Sequence, residues 1–218
     1  MEKNLILPFL KKLSKNNNRE WFAEHKNEFV IAKSQMEELV EQLIIRLSNF
    51  DQTVGSLDAK KCVFRIYRDV RFSKNKAPYK INMGAFMVPG GKKSGKAGYY
   101  LHLEPGASFL GGGIYMPESK TLKVIREEVM YEIDVFKSIV EDQDFKAVFG
   151  EIRGEKLKRP PKGFPADFPE IEYLKLKSYV VMHPLMDEQI IEPDFFDYAA
   201  DVFMRMHPLN QFLNRSFN

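Results

Sequence analysis

His102 and Glu104 are the side chains best suited to moving a proton. An imidazole ionises near neutral pH, and a carboxylate two positions on, along the same strand face, can orient it. A structural role for the pair is the competing reading. A different chemistry sits upstream, in Arg65-Ile66-Tyr67-Arg68-Asp69-Val70-Arg71-Phe72-Ser73-Lys74-Asn75-Lys76-Ala77-Pro78-Tyr79-Lys80. Arginine presents a planar donor fork that matches phosphate or carboxylate bidentately. Arg65, Arg68, Arg71 and Lys80 are therefore the expected clamp for an anion, with Asp69 orienting the arginines. Lys76 and Tyr79 belong to the same candidate set, Tyr79 as an aromatic surface. Lys158 and Arg159, between Lys156 and Lys162, form a second basic cluster in a proline-rich stretch. Folded over the sheet, that stretch would act as a lid.

The charge distribution supports an anion site. Between Lys60 and Lys96 there are 11 Lys/Arg and one acidic residue, Asp69, while the whole chain carries 33 basic and 30 acidic residues. A local net of +10 is thus set against −7 elsewhere. Two guanidinium groups on one strand face, about 7 Å apart, repel by roughly 2 kcal/mol at an effective dielectric near 20. A charged face that simply spreads into water tolerates that repulsion, and it is the alternative reading.

Other motifs lead nowhere definite. Gly90-Gly91-Lys92-Lys93-Ser94-Gly95-Lys96-Ala97 approaches a phosphate-binding P-loop, but Ala97 stands where a magnesium-holding hydroxyl is needed. The following Tyr99–Leu103 also alternates like a strand where a P-loop requires a helix. Neither a G-x-S-x-G elbow nor an H-E-x-x-H pair is present, and Cys62 is the single cysteine. His25, His102, His183 and His207 are dispersed, so no metal site and no cofactor are expected. A lone cysteine fits a reducing compartment. The Met1–Leu10 run is too short for a secretory h-region, and no stretch approaches the roughly 20 apolar residues that cross a bilayer. A cytoplasmic protein without a membrane partner is the expectation.

The elements that must position these residues follow from periodicity. Asn18 is a candidate N-cap for one long helix to about Asn49, its buried stripe running through Phe22, His25, Phe29, Ala32, Met36, Leu39, Leu43 and Leu47. His25 on that stripe reads as a hydrogen-bonded core histidine. Alternation then predicts strands over Cys62–Tyr67, Tyr79–Val88, Ala97–Glu104 and Ser108–Tyr115, the first two joined as an antiparallel hairpin. Arg65, Tyr67, Asp69 and Arg71 would share one face of it, with Arg68 on the apolar side unless a bulge re-aims it. Gly111-Gly112-Gly113 would mark a bulge, a tight contact or a ligand approach. Helical spacing returns through Leu122, Ile125, Val129, Ile133, Phe136 and Val140. Gly150–Glu170 reads as a loop, Lys175–Met182 as a strand, and Pro193 as the start of a terminal helix that Pro208 should break or kink. The fold class is α+β over a single domain, residues 1–218. A mainly antiparallel sheet packs with a long N-terminal helix, a middle helical segment and a C-terminal helix.

The run Arg65-x-x-Arg68-Asp69-x-Arg71-Phe72-x-x-Asn75-Lys76-x-x-Tyr79 resembles the hallmark of a family catalogued as domain of unknown function 2461, found in bacteria and within some longer fungal proteins. Trp21-Phe22 with His25-Lys26, Gly111-Gly112-Gly113, and Leu157-Lys158-Arg159 with Lys162-Gly163-Phe164 are similar to family segments as well. The resemblance implies one shared domain over nearly all of the chain and brings no activity with it.

Three functions remain open on the residues themselves. The first is a domain binding a small phosphorylated or carboxylated ligand in an Arg/Lys-rich pocket, with His102 or Glu104 transferring protons where a reaction accompanies binding. The second is a nucleic-acid-binding module that uses Tyr67, Tyr79 or Tyr100 for stacking. The third is a protein-interaction domain docking an acidic partner. The small-ligand reading is preferred. A concave basic cavity, an extended groove or a flat patch would separate the three.

Overall fold

A computed structural model describes residues 5–217; the Met1–Asn4 end of the amino-terminal run lies outside them. The chain opens with α1 (Ile6–Lys15), α2 (Arg19–Glu24), α3 (Lys26–Leu47) and the short α4 (Ala59–Cys62). Strands β1 (Met83–Met87), β2 (Gly98–Leu103) and β3 (Phe109–Ile114) follow. Helices α5 (Ser119–Tyr131), α6 (Ile133–Val140), α7 (Gln143–Phe149) and α8 (Ile171–Leu174) precede β4 (Tyr179–Pro184) and α9 (Phe195–Asn214). The four strands form one antiparallel sheet in the order β1-β2-β3-β4. This is the expected α+β architecture.

Register sorts the sheet into two faces. Met83, Ala85 and Met87 lie opposite Leu103, Leu101 and Tyr99, which continue through Leu110 and Gly112 to Val181. These side chains are buried, and α9 lies across them with Phe203, Met206, Leu209 and Leu213. Gly112 has no side chain because Met206 occupies the space a Cβ would need. Helix α9 is also stitched to the sheet by two asparagines one turn apart. Asn210 accepts from Gly113 N at 2.8 Å and donates to Gly98 O at 3.1 Å. Asn214 accepts from Ala97 N at 2.8 Å and donates to Ala97 O at 3.1 Å. The other sheet face carries Gly84, Phe86, Tyr100, His102, Phe109 and Met182, and its side chains are only half-buried.

Several elements differ from the sequence reading. The expected Asn18–Asn49 helix is capped by Asn18, which accepts from Trp21 N at 2.9 Å, but it divides at His25. There ψ is 20°, the ring stacks on Trp21 at 4.0 Å, and Nδ1 lies 2.9 Å from the Trp21 carbonyl. A side chain competing for a helical carbonyl loosens the turn at that point. Helix α1 was not anticipated, yet Ile6, Phe9, Leu10 and Leu13 are all buried on it. Pro8 is tolerated because first-turn amides need no helical acceptor. Helix α9 starts two residues after Pro193 and continues past Pro208 to Asn214. The carbonyl that Pro208 leaves unpaired belongs to exposed Met204, where water can satisfy it.

Candidate anion-binding site

The basic motif forms an arm that grows out of the sheet at β1. Phe64 N donates to Gly84 O (2.9 Å), Lys80 N to Ile66 O (2.8 Å) and Arg68 N to Pro78 O (2.9 Å). The hairpin expected from the sequence is present, but its first half is not a regular strand. Between the bridged pairs Val63–Ala85 and Tyr67–Tyr79 one side has four steps and the other six. Ile81 and Asn82 therefore bulge out, and the two-residue alternation is lost. Buried Ile66 and Tyr79 root the arm in the core, Tyr79 stacking on Phe22 at 3.9 Å. Asn17 clamps the Tyr79 backbone, accepting from its N–H at 3.1 Å and donating to its carbonyl at 3.0 Å. Tyr79 is thus a core ring rather than an open stacking surface.

Beyond Arg68 the motif holds its own turn together. Arg68 donates to Ala77 O (2.9 Å) and Ser73 Oγ (3.3 Å). Lys76 Nζ donates to Val70 O at 3.0 Å, and Asn75 accepts from Ala77 N at 2.9 Å. Arg71 meets Asp69 with two parallel bonds, Nε to Oδ1 at 3.0 Å and a terminal nitrogen to Oδ2 at 2.6 Å. Those bonds hold the Asp69 carboxyl below its ordinary range, with the charge of Arg65 adding to the effect. Both partners are exposed, so the pair orders the loop more than it stabilises the fold. Arg68, Asp69, Arg71 and Lys76 are all engaged in this way.

Three cations at the root form no ion pair with a described residue. Arg65 is exposed and makes no hydrogen bond or ion pair with a described residue. Lys80 lies 5.5 Å and Lys92 4.7 Å from the centre of the Phe64 ring. Lys92 also donates to Val63 O at 2.6 Å, an uncharged acceptor. Burial, then Arg65 and Lys92, push the Lys80 ammonium below its ordinary pKa; burial lowers Lys92 as well. Lys80 is half-buried while Arg65 and Lys92 are exposed, and no carboxylate among the described residues pairs with them, so an incoming anion would offset their mutual repulsion.

The Phe64 ring connects this cluster to the half-buried sheet face. Its edge meets Tyr100 at 6.2 Å, and Tyr100 leads to His102 and Glu104. Glu104 Oε2 lies 3.0 Å from His102 Nε2, and the Tyr100 hydroxyl lies 3.0 Å from His102 Nδ1. A carboxylate can only accept, so in the neutral imidazole Nε2 carries the proton and Nδ1 accepts from tyrosine. Burial, with the Glu104 charge, pushes Tyr100 up to about 12, which keeps its hydroxyl protonated near neutral pH. Gly84 is required beneath it, because a Cβ there would land on the Tyr100 hydroxyl. His102 further stacks on Phe109 at 4.6 Å.

Lys158 and Arg159 are not part of this grouping. Arg153 and Lys156 bridge to Val180 and Leu176, so the segment runs along the outer edge of β4. Strands β2 and β3 lie between that edge and β1. A cavity of about 430 Å³ lies elsewhere again, between α3 and the 55–60 segment, where Glu37, Glu38, Glu41 and Asp58 line it. A smaller one, about 230 Å³, is lined by Lys120, Thr121, Val124 and Phe217. Neither contains a motif residue. Lys92 and Phe64 were missed as site residues by sequence reasoning. Lys92 lay inside the basic stretch but was read with the glycine loop, and Phe64 was not singled out.

The model of the family described as "Conserved hypothetical protein (DUF2461)" matches residues 5–212, which includes the arm, the sheet and all but the last two residues of α9. The chain belongs to this family. No curated protein and no solved structure matches it. In this DUF2461 chain the hallmark residues divide into two groups: Arg68, Asp69, Arg71, Asn75 and Lys76 build the loop, while Arg65 has no partner there. Among the described residues no helix is long and apolar enough to cross a membrane, and no cluster of His, Cys, Asp and Glu could hold a metal ion.

Proposed function

We propose that this domain binds an anionic ligand through a phosphate or carboxylate group at the root of the arm, where Arg65, Lys80 and Lys92 supply the charge. The observation that carries this reading is the cluster around Phe64: two ammonium groups within 5.5 Å of one ring, both lowered in pKa by burial, with no carboxylate partner among the described residues. Where a reaction accompanies binding, His102 or Glu104 exchanges the proton by way of the Tyr100 hydroxyl, since both His102 ring nitrogens are engaged within the Tyr100–His102–Glu104 chain. Arg68, Arg71 and Lys76 contribute by shaping the arm. The cytoplasm, where small phosphorylated compounds are abundant, is the setting this reading assumes.

A thermal-shift series with sulfate, phosphate, tripolyphosphate and dicarboxylates tests it. A ligand at about 100 times its dissociation constant stabilises the fold by roughly 2.7 kcal/mol, easily read as a higher Tm. Stabilisation by a polyphosphate that disappears in Lys80→Gln/Lys92→Gln is the expected result. An equal shift in that variant would move the site elsewhere.

A further inference from the structure

The hallmark motif builds a hydrogen-bonded turn, and Phe72, like Arg65, takes no part in those bonds. Phe72 is 95% exposed, and the Arg71 guanidinium, 5.8 Å from its ring centre, is its aromatic-face neighbour. Around it the turn is fixed by Arg68 to Ala77 and Ser73, by Lys76 to Val70 and by Arg71 to Asp69. A phenyl ring held in water on a fixed backbone is a contact surface rather than a packing residue.

The cations decide what kind of contact. Lys74 and Lys76 are exposed beside Phe72 at the tip, Arg65 is exposed further down, and Lys80 and Lys92 lie at the root. The ladder from Phe64 to Arg68 alone covers about 13 Å at about 3.3 Å per residue, a span that takes in several phosphates.

We infer that the arm receives single-stranded nucleic acid: one base stacks on Phe72, and the phosphates follow Lys74, Arg65, Lys80 and Lys92 towards the sheet. The inference rests on the anion-binding reading of the root cluster and names the class of molecule that carries the phosphates. Exposed rings with a track of unpaired cations are how such strands are held without base reading. A loop that docks on a lipid surface gathers its apolar and basic groups together at the tip, whereas here the cations extend to the root. A small free anion would leave Phe72 and Lys74 with nothing to bind.

The test is fluorescence anisotropy of a labelled twelve-nucleotide oligothymidylate at low salt, with tripolyphosphate binding measured in parallel on the full chain. Wild type binds both. Phe72→Ala, which removes no buried contact and only the exposed Arg71 neighbour, weakens the oligonucleotide by about 5- to 150-fold and leaves tripolyphosphate unchanged. In Phe72→Trp the added fluorescence is quenched by the oligonucleotide, against a wild-type background from Trp21. Equal oligonucleotide affinity in Phe72→Ala overturns the stacking. Tripolyphosphate binding with no oligonucleotide binding overturns this inference and leaves the anion site standing, while loss of both ends the two together. A blue shift of Phe72→Trp on phosphatidylserine vesicles, without quenching by the oligonucleotide, assigns the tip to a lipid surface instead.

Discussion

The arginines of one short motif have different jobs, and the difference lies in what each guanidinium touches. Arg68 donates to a carbonyl and a hydroxyl inside the turn, so Arg68→Ala strands the Ala77 carbonyl and unpins the loop. A charged donor to a neutral acceptor contributes about 1–3 kcal/mol, and urea unfolding should register a loss of that size. Arg65→Gln, by contrast, should stay within about 0.5 kcal/mol of wild type, since Arg65 is exposed and makes no hydrogen bond or ion pair with a described residue. Equal destabilisation by both would mean Arg65 has a structural partner. Gly84→Ala belongs at the same scale. Its Cβ meets the Tyr100 hydroxyl, so the ring must move and the Tyr100–His102 bond breaks. Overpacking of this kind costs about 1–3 kcal/mol, and a Tm unchanged from wild type would contradict the geometry. The sequence displayed all of these residues and their spacing. It could not display their division of labour, because Arg68 finds Ala77 only once the turn has closed and Lys92 finds Phe64 only through tertiary packing.

Among the elements, those with long apolar repeats were the legible ones. The stripe from Ala32 to Leu47 is buried as its spacing predicts, and so is the run Ile125, Val129, Phe136 and Val140 in α5 and α6. The first half of the hairpin was misread for a physical reason. Alternation over Cys62–Tyr67 assumes equal steps on both strands, and the bulge at Ile81–Asn82 removes that equality. Helix α9 was foreseen, but its polar side was not. There His207 Nδ1 lies 2.6 Å from the Tyr99 hydroxyl, which donates to Asp51 at 2.9 Å beneath Phe50. Burial lowers the His207 pKa below 6.5, although Asp51 opposes it. A histidine with a depressed folded pKa binds protons more readily when unfolded, so stability falls as pH drops from about 6.5 towards the folded value. Tm measured across that window should slope less in His207→Gln than in wild type, and parallel slopes would exclude His207 as the source. Asn210→Ala, which leaves Gly113 N and Gly98 O without partners inside the core, should cost about 1–3 kcal/mol by the same measurement.

At the scale of the molecule the charge is segregated, and this was legible from composition alone. The basic arm leaves the sheet at β1, whereas the cavity beside α3 is lined by Glu37, Glu38, Glu41 and Asp58. The segment that leads into Lys158 and Arg159 pairs through Arg153 and Lys156 with Val180 and Leu176, on the β4 side of the sheet and away from β1. Ligand affinity at the arm should fall steeply with salt, since exposed charges are screened beyond about 8 Å at physiological ionic strength. The most direct measurement is calorimetric titration of tripolyphosphate into wild type and Lys80→Gln/Lys92→Gln, each in two buffers of different ionisation enthalpy. The anion raises the depressed Lys80 and Lys92 pKa values, so binding at alkaline pH should take up protons and weaken as pH rises. The account predicts proton-linked binding that drops at least about tenfold in the double variant, equivalent to about 1.4 kcal/mol. Undiminished binding in that variant, with no proton uptake, would contradict it.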